Sequence, residues 1–119
     1  MKLATFEANG KVSYGAVVDG GIVDLGKKLS FADLRALIAG NGFAQAKAAI
    51  AGAKPDVALN QVRLLPVIPN PDKIICVGLN YEDHVVETKR ERTEDPALFV
   101  RFANSQMGHN EPMLLPPES

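Results

Sequence analysis

Hydrophobic and polar residues alternate along the first 25 positions with the period of two that is typical of half-buried β-strands. The alternation predicts strands at residues 2–7, 12–18 and 22–25. It places four residues of the second strand on one face: Val12, Tyr14, Ala16 and Val18. Asn9-Gly10 and Asp19-Gly20-Gly21 separate the strands, and such residues tolerate the positive φ of tight hairpin turns. We therefore expect a three-stranded antiparallel meander, which needs a covering element on its apolar face to be stable.

Two short helices are predicted to cover the meander. Ser30 and Asp33 have the spacing of a capping box, in which the serine accepts a hydrogen bond from a free helix N–H. Four apolar residues then recur at helical spacing before Gly40-Asn41-Gly42: Phe31, Leu34, Leu37 and Ile38. A second, alanine-rich helix is predicted over residues 43–51, and its inner face would contain Phe43, Ala46 and Ile50. Residues 1–60 are therefore predicted to form a small α+β domain.

A proline-rich stretch follows and predicts a domain boundary. Residues 66–72 contain three prolines, and each proline fixes φ and removes a hydrogen-bond donor. We assign residues 61–72 to a linker that includes a short strand at 61–65, and residues 73–119 to the start of a second domain. That domain is predicted to open with an apolar strand at 74–77, a turn at Gly78 and a helix from Asn80. A further strand is predicted at 97–102.

Composition excludes several classes of function. The 119 residues include 13 basic and 14 acidic ones, so no charge excess favours binding to nucleic acid or to an anionic membrane. No apolar run approaches the roughly 20 residues that span a bilayer, and the N-terminus lacks the apolar core of a signal peptide. The single cysteine, Cys76, rules out an internal disulfide framework and is predicted to be a buried small hydrophobe. We expect a soluble cytoplasmic protein.

Candidate chemistry is confined to the helix predicted after Gly78. His84 and Glu87 are three residues apart and would lie on one helical face, where the carboxylate can orient the imidazole as a general base. The same spacing is common in exposed ion pairs worth roughly 0.2–0.5 kcal/mol, so spacing alone leaves both interpretations open. The highly charged run at 89–95 is predicted to be either a solvated loop or a mobile lid.

Several motifs of the second domain together resemble the start of the catalytic domain of the fumarylacetoacetate hydrolase superfamily. They are the strand at 74–77, G-L-N-Y at 78–81, H-x-x-E at 84–87, P-x-L-F-x-[KR] at 96–101, Ser105, Gly108 and a final P-x-x-x-P spacing. The resemblance is specific over residues 71–119 and loose over residues 1–60. It implies an α+β fold in which the small meander domain precedes the first strand–helix–strand part of a mixed-β catalytic domain.

The resemblance also implies a function. Members of the superfamily are metal-dependent hydrolases, isomerases, decarboxylases or lyases of 2-oxo and β-diketo acids such as acylpyruvates. His84 and Glu87 match the acid/base dyad, while Tyr81 and Arg101 match positions that help to bind the acidic substrate. The complete protein is expected to use Mg²⁺, or Mn²⁺ or Ca²⁺ in its place, and to form a homodimer.

The family's metal-binding carboxylates would follow the last residue of this sequence. Glu111 and Glu118 are present, but they lie in a proline-rich tail without paired spacing, so no metal site is expected within these residues. The sequence ends without a closing strand or helix, so we expect further chain in the protein and no activity from the 119 residues alone. The alternative is a non-catalytic module in which residues 1–60 serve packing or dimerisation.

Overall fold

The structure is a computed structural model that describes residues 1–78, 95–115 and 117. The described residues form two compact units, one of residues 1–70 with those from 106 onward and the other of those between 71 and 105. The first unit contains five strands: β1 (Lys2–Ala8), β2 (Lys11–Val18), β3 (Gly21–Asp24), β4 (Val57–Ala58) and β5 (Arg63–Leu64). They form one antiparallel sheet in the order β4-β3-β2-β1-β5.

The predicted meander is confirmed, together with both of its turns. Asn9 and Gly10 have φ values of 51° and 72°, and Asp19 and Gly20 have values of 45° and 78°. Positive φ at both central positions gives the turn a twist that matches the flanking strands, which is why these dipeptides favour hairpins. The turns set the register, so that Thr5 lies opposite Tyr14 and Val17 lies opposite Ile22.

Both predicted helices are present, as α1 (Leu34–Ala39) and α2 (Phe43–Ile50). The prediction that Ser30 caps α1 was wrong, because Ser30 lies outside the helix and Asp33 is the N-cap. The Asp33 carboxylate accepts a hydrogen bond of 2.7 Å from the Ala36 N–H. No helix in the described part of the chain is long and apolar enough to cross a membrane.

The core of the first unit lies between the sheet and the two helices. Its main cluster contains six buried residues: Tyr14, Ala16, Leu25, Leu34, Leu37 and Ala46. Two predicted inward positions are corrected, since Val12 is 63% exposed and Phe43 is 37% exposed. A sheet with helices on its apolar face confirms the predicted α+β class.

The stretch predicted as a linker contributes to the sheet. β5 pairs with β1, the Leu65 N–H donates to the Thr5 carbonyl at 3.0 Å, and the buried Thr5 hydroxyl donates to the Val67 carbonyl at 2.7 Å. Part of the proline-rich region is therefore attached to the first unit. The domain boundaries predicted at residues 60 and 72 stay predictions.

The second unit contains an antiparallel pair, β6 (Ile74–Gly78) and β7 (Ala97–Arg101). Both strands were predicted from the sequence. Directly opposed residues share a face of the pair, and one face is formed by four exposed apolar side chains: Ile75, Val77, Leu98 and Val100. Cys76 lies on the other face and is half-buried, so its predicted burial is only partial.

Candidate functional site

The predicted acid/base dyad belongs to the segment that connects β6 to β7. Tyr81, His84 and Glu87 lie outside the described residues, so their assignment stays a prediction. Gly78 pairs with Ala97, which means that the connecting segment leaves and re-enters the strand pair at the same end. The hydrogen-bonded strand pair is therefore the structural support to which the segment with the predicted dyad is attached.

Arg101, the fourth predicted site residue, lies at the other end of the strand pair. It is opposite Ile74, four residues along the strand from Ala97. At about 3.4 Å per residue in an antiparallel strand, four residues correspond to roughly 13–14 Å. In the part of the chain that the structure describes, Arg101 is exposed, so a ligand can reach its guanidinium. Its predicted role in substrate binding is untested.

The guanidinium of Arg101 is held by the turn that follows β7. The Arg101 Nε–H donates to the Ser105 Oγ at 3.0 Å, and Nη2 donates to the Ser105 carbonyl. Ser105 ends a short 3-10 helix (Ala103–Ser105), and its hydroxyl donates to the Phe102 carbonyl at 2.6 Å. Ser105 thus fixes one edge of the arginine. Ser105 matches a family motif in the sequence, but no role was predicted for it; its spacing of four residues from Arg101 was the available signal.

Glu111, one of the two carboxylates of the tail, is occupied by other groups. One carboxylate oxygen accepts from Arg63 Nη1 at 3.1 Å, and the other accepts from the Gly108 N–H at 2.8 Å. Glu118 lies outside the described residues. Among the residues that the structure describes, no three or more His, Cys, Asp or Glu side chains form a group that could hold a metal ion. The described residues therefore do not fit the Mg²⁺ that the resemblance implies.

An open groove of about 1110 Å³ lies in the first unit, beside the segment that contains Glu111. Arg63, His109 and Glu111 are among its lining residues. Arg63 also donates to Glu7 at 2.9 Å, so two carboxylates already neutralise its charge. This arrangement does not favour an acidic ligand in the groove. His109 is exposed, as predicted.

A second polar cluster surrounds the buried carboxylate of Asp24. It accepts from the Ser13 hydroxyl at 2.6 Å and pairs with Lys27 at 3.2 Å. The Asp24 N–H in turn donates to the Asp56 carboxylate at 2.8 Å. These contacts satisfy a buried charge and join β2, β3 and the segment before β4, so the cluster has a structural role.

Known proteins that are similar in sequence match 62% of the chain. No protein-family model matches it. The chain is 40% identical over 74 residues to "Oxaloacetate tautomerase Fahd2a, mitochondrial" of Rattus norvegicus, which is 62% of this chain and 24% of that protein. It is 35% identical, also over 74 residues, to "Fumarylacetoacetate hydrolase domain-containing protein 2" of Pongo abelii, with the same coverage of both chains.

A solved structure supports the same relationship at the level of fold. The crystal structure of an HpcE-like protein from Mycobacterium smegmatis matches with a TM-score of 0.69 and 26% identity. The match covers 95% of this chain and 40% of that one. In sequence the chain is thus similar to a fumarylacetoacetate hydrolase domain-containing protein, and the predicted resemblance is confirmed. It spans about a quarter of the length of the curated relatives it matches.

Proposed function

We propose that the protein containing this chain is an enzyme of the fumarylacetoacetate hydrolase superfamily that acts on 2-oxo or β-diketo acids. The similarity to the rat protein named as an oxaloacetate tautomerase carries the proposal, since 40% identity extends over 74 residues. Keto–enol tautomerisation of a 2-oxo acid is therefore the first reaction to test. Hydrolysis, decarboxylation and lysis of related acids are further reactions of the same proposed class.

His84 is proposed as the general base and Glu87 as the group that orients it. The hydrogens on the carbon next to a carbonyl are acidic because the resulting enolate spreads its charge onto the carbonyl oxygen. A base within hydrogen-bond reach can remove a proton from this carbon and deliver a proton to the enolate oxygen. The reverse transfer converts the enol form back to the keto form. Tyr81 and Arg101 are proposed to bind the acidic substrate, Arg101 through its planar fork of N–H donors.

Mg²⁺, or Mn²⁺ or Ca²⁺, belongs to the proposal through the family resemblance alone. Such an ion would polarise the carbonyl of the substrate when it is bound. From the resemblance, we propose that its ligands lie outside the residues that the structure describes, which contain no group that could hold it. A homodimer and a cytoplasmic location are likewise proposals.

Substitution of His84 tests the proposal directly. In the complete protein, we expect His84→Gln to lower kcat for tautomerisation of oxaloacetate by roughly 10²- to 10⁴-fold, since that is the usual contribution of a positioned general base. The rate is measured from the loss of enol absorbance after mixing. His109→Gln is the matched control, because His109 is an exposed histidine of the first unit, and its turnover should equal that of the wild type.

Two results would count against the proposal. A wild-type protein that accelerates neither tautomerisation nor cleavage of any oxo acid would remove the enzymatic function. Full activity in His84→Gln would remove His84 from the mechanism while keeping the enzyme class.

The alternative function is a packing or dimerisation module. Two observations support this alternative. The first unit has a core between its sheet and its helices, and the polar cluster around Asp24 has a structural role. A dimer in sedimentation, combined with no turnover of any oxo acid, would favour this alternative.

A further inference from the structure

The guanidinium group of arginine has two edges that can each contact an oxygen pair. The side edge consists of Nε–H and one N–H of Nη2, and the end edge consists of Nη1 and the other N–H of Nη2. In this chain both contacts of Arg101 use the side edge, and both go to Ser105. Within the described residues, no hydrogen bond involves Nη1. The end edge is thus available in the fork geometry that matches a carboxylate.

Ser105 is itself held tightly. Its hydroxyl uses the proton to donate to the Phe102 carbonyl at 2.6 Å, and its N–H donates to the same carbonyl at 3.0 Å. The hydroxyl oxygen can therefore serve Arg101 only as an acceptor, which is the role that Nε–H requires. An exposed arginine otherwise has many rotamers, and ordering it costs side-chain entropy at the moment of binding. The turn removes part of that cost in advance.

We propose that Ser105 is a positioning residue that presents the end edge of Arg101 to the carboxylate of the substrate. This inference rests on the proposed function. Ser105 would contact no reacting atom, and it would act by fixing the direction in which Arg101 binds the acid. A group of this kind lowers KM and leaves kcat nearly unchanged, because its contact is the same in the ground state and in the transition state.

The test compares variants at both positions in the complete protein. We expect Ser105→Ala to raise KM for the oxo acid by roughly three- to tenfold, the range of the net contribution of one hydrogen bond, with kcat within about twofold. Ser105→Thr keeps the hydroxyl and should restore KM. Ser30→Ala is the matched control, since Ser30 is exposed in the first unit. In an Arg101→Ala background, Ser105→Ala should have no further effect on KM.

The outcomes separate positioning from a purely structural role. An unchanged KM in Ser105→Ala, or an equal increase in the presence and absence of Arg101, would overturn the proposal. Failure of Ser105→Thr to restore KM would do so as well. A wild-type protein without turnover of any oxo acid would overturn the function and this inference together, whereas normal turnover with a silent Ser105→Ala would overturn the inference alone.

Discussion

Tyr14 shows how one residue combines apolar burial with a satisfied polar group. Its side chain lies in the core, and its hydroxyl donates to the Phe31 carbonyl at 2.9 Å. We expect Tyr14→Phe to lower the free energy of unfolding by about 0.5–1.5 kcal/mol, because the Phe31 carbonyl loses its donor while the ring packing is kept. Denaturant unfolding of the two proteins measures the difference.

Tyr14→Phe should also change how the free energy of unfolding depends on pH in the alkaline range. Burial raises the pKa of Tyr14 above its ordinary value, and the negative charges of Asp24 and Asp33 raise it further. The folded state therefore holds the phenol proton more tightly than the unfolded state, so stability falls as pH rises beyond about 10. The stability difference between wild type and Tyr14→Phe should shrink over that window. A difference that grew with pH would contradict this assignment.

The burial of single residues could be predicted where the helices cover the sheet. Tyr14 and Ala16 were correctly placed inward, and both are buried. Val12 fits the same alternation but is exposed, and it lies at the start of β2, outside the core cluster that contains Tyr14 and Ala16. Period-two alternation identifies a face, but it does not show how far the covering helices extend along that face.

At the scale of elements, the start of α1 provides a direct test of capping. Asp33→Ala should lower the free energy of unfolding by about 0.5–2 kcal/mol, because the Ala36 N–H loses its acceptor. Ser30→Ala should be close to neutral, since Ser30 lies outside the helix. Thermal or denaturant unfolding distinguishes the two, and equal effects would show that the capping assignment is wrong.

The loss of stability in Asp33→Ala should also depend on pH. The hydrogen bond from the Ala36 N–H lowers the pKa of Asp33, and the bond from Asn70 lowers it further. A lowered folded pKa means that the stabilisation is present above the ordinary aspartate range and is lost as pH falls through the folded value. The difference between wild type and Asp33→Ala should therefore shrink in acid below about pH 4.

The sequence predicted the helix correctly and its first residue wrongly for an identifiable reason. Ser30 and Asp33 are both good N-caps, so local preference could not choose between them. In the structure, the Phe31 ring occupies the space beside Gly40 and Gly42. A side chain at either glycine would collide with that ring. Phe31 thus packs against the end of α1 from outside the helix, which helical spacing alone could not show.

At the scale of the whole molecule, one ion-pair network attaches the segment after residue 106 to the first unit. Arg63 joins Glu7 on β1 to Glu111, and Glu111 also accepts from the Gly108 N–H. We expect Glu111→Gln to speed hydrogen exchange at the Gly108 amide several-fold while changing global stability by only about 0–1 kcal/mol. Exchange read by NMR or mass spectrometry measures this effect.

Glu7→Gln is the control for that experiment. It weakens the other contact of Arg63 but leaves the acceptor of the Gly108 N–H in place. Gly108 exchange should therefore stay near the wild-type rate. Equal acceleration in both variants would mean that general loosening of the sheet, and not loss of the Glu111 contact, controls the segment.

Such long-range contacts are the part of the fold that the sequence could not predict. Arg63 and Glu111 are 48 residues apart, and neither residue has a local pattern that selects its partner. The same limit applies to the pairing of β5 with β1: a strand was predicted at residues 61–65, but its partner was not. For the candidate site, motif resemblance supplied His84, Glu87, Tyr81 and Arg101, while the contact of Ser105 with Arg101 required coordinates.

The order of strands in the sheet has a consequence for synthesis of the chain. β1 is made first, yet it lies between β2 and β5, so one of its edges stays open until Arg63 and Leu64 leave the ribosome. A hairpin forms in roughly 1–10 μs. At about 5–20 residues per second, translation of the roughly forty residues between β3 and β5 takes some 2–8 s. The nascent meander therefore waits with an unpaired edge, and the charges of Lys2 and Glu7 on β1 oppose its pairing with other chains during that interval.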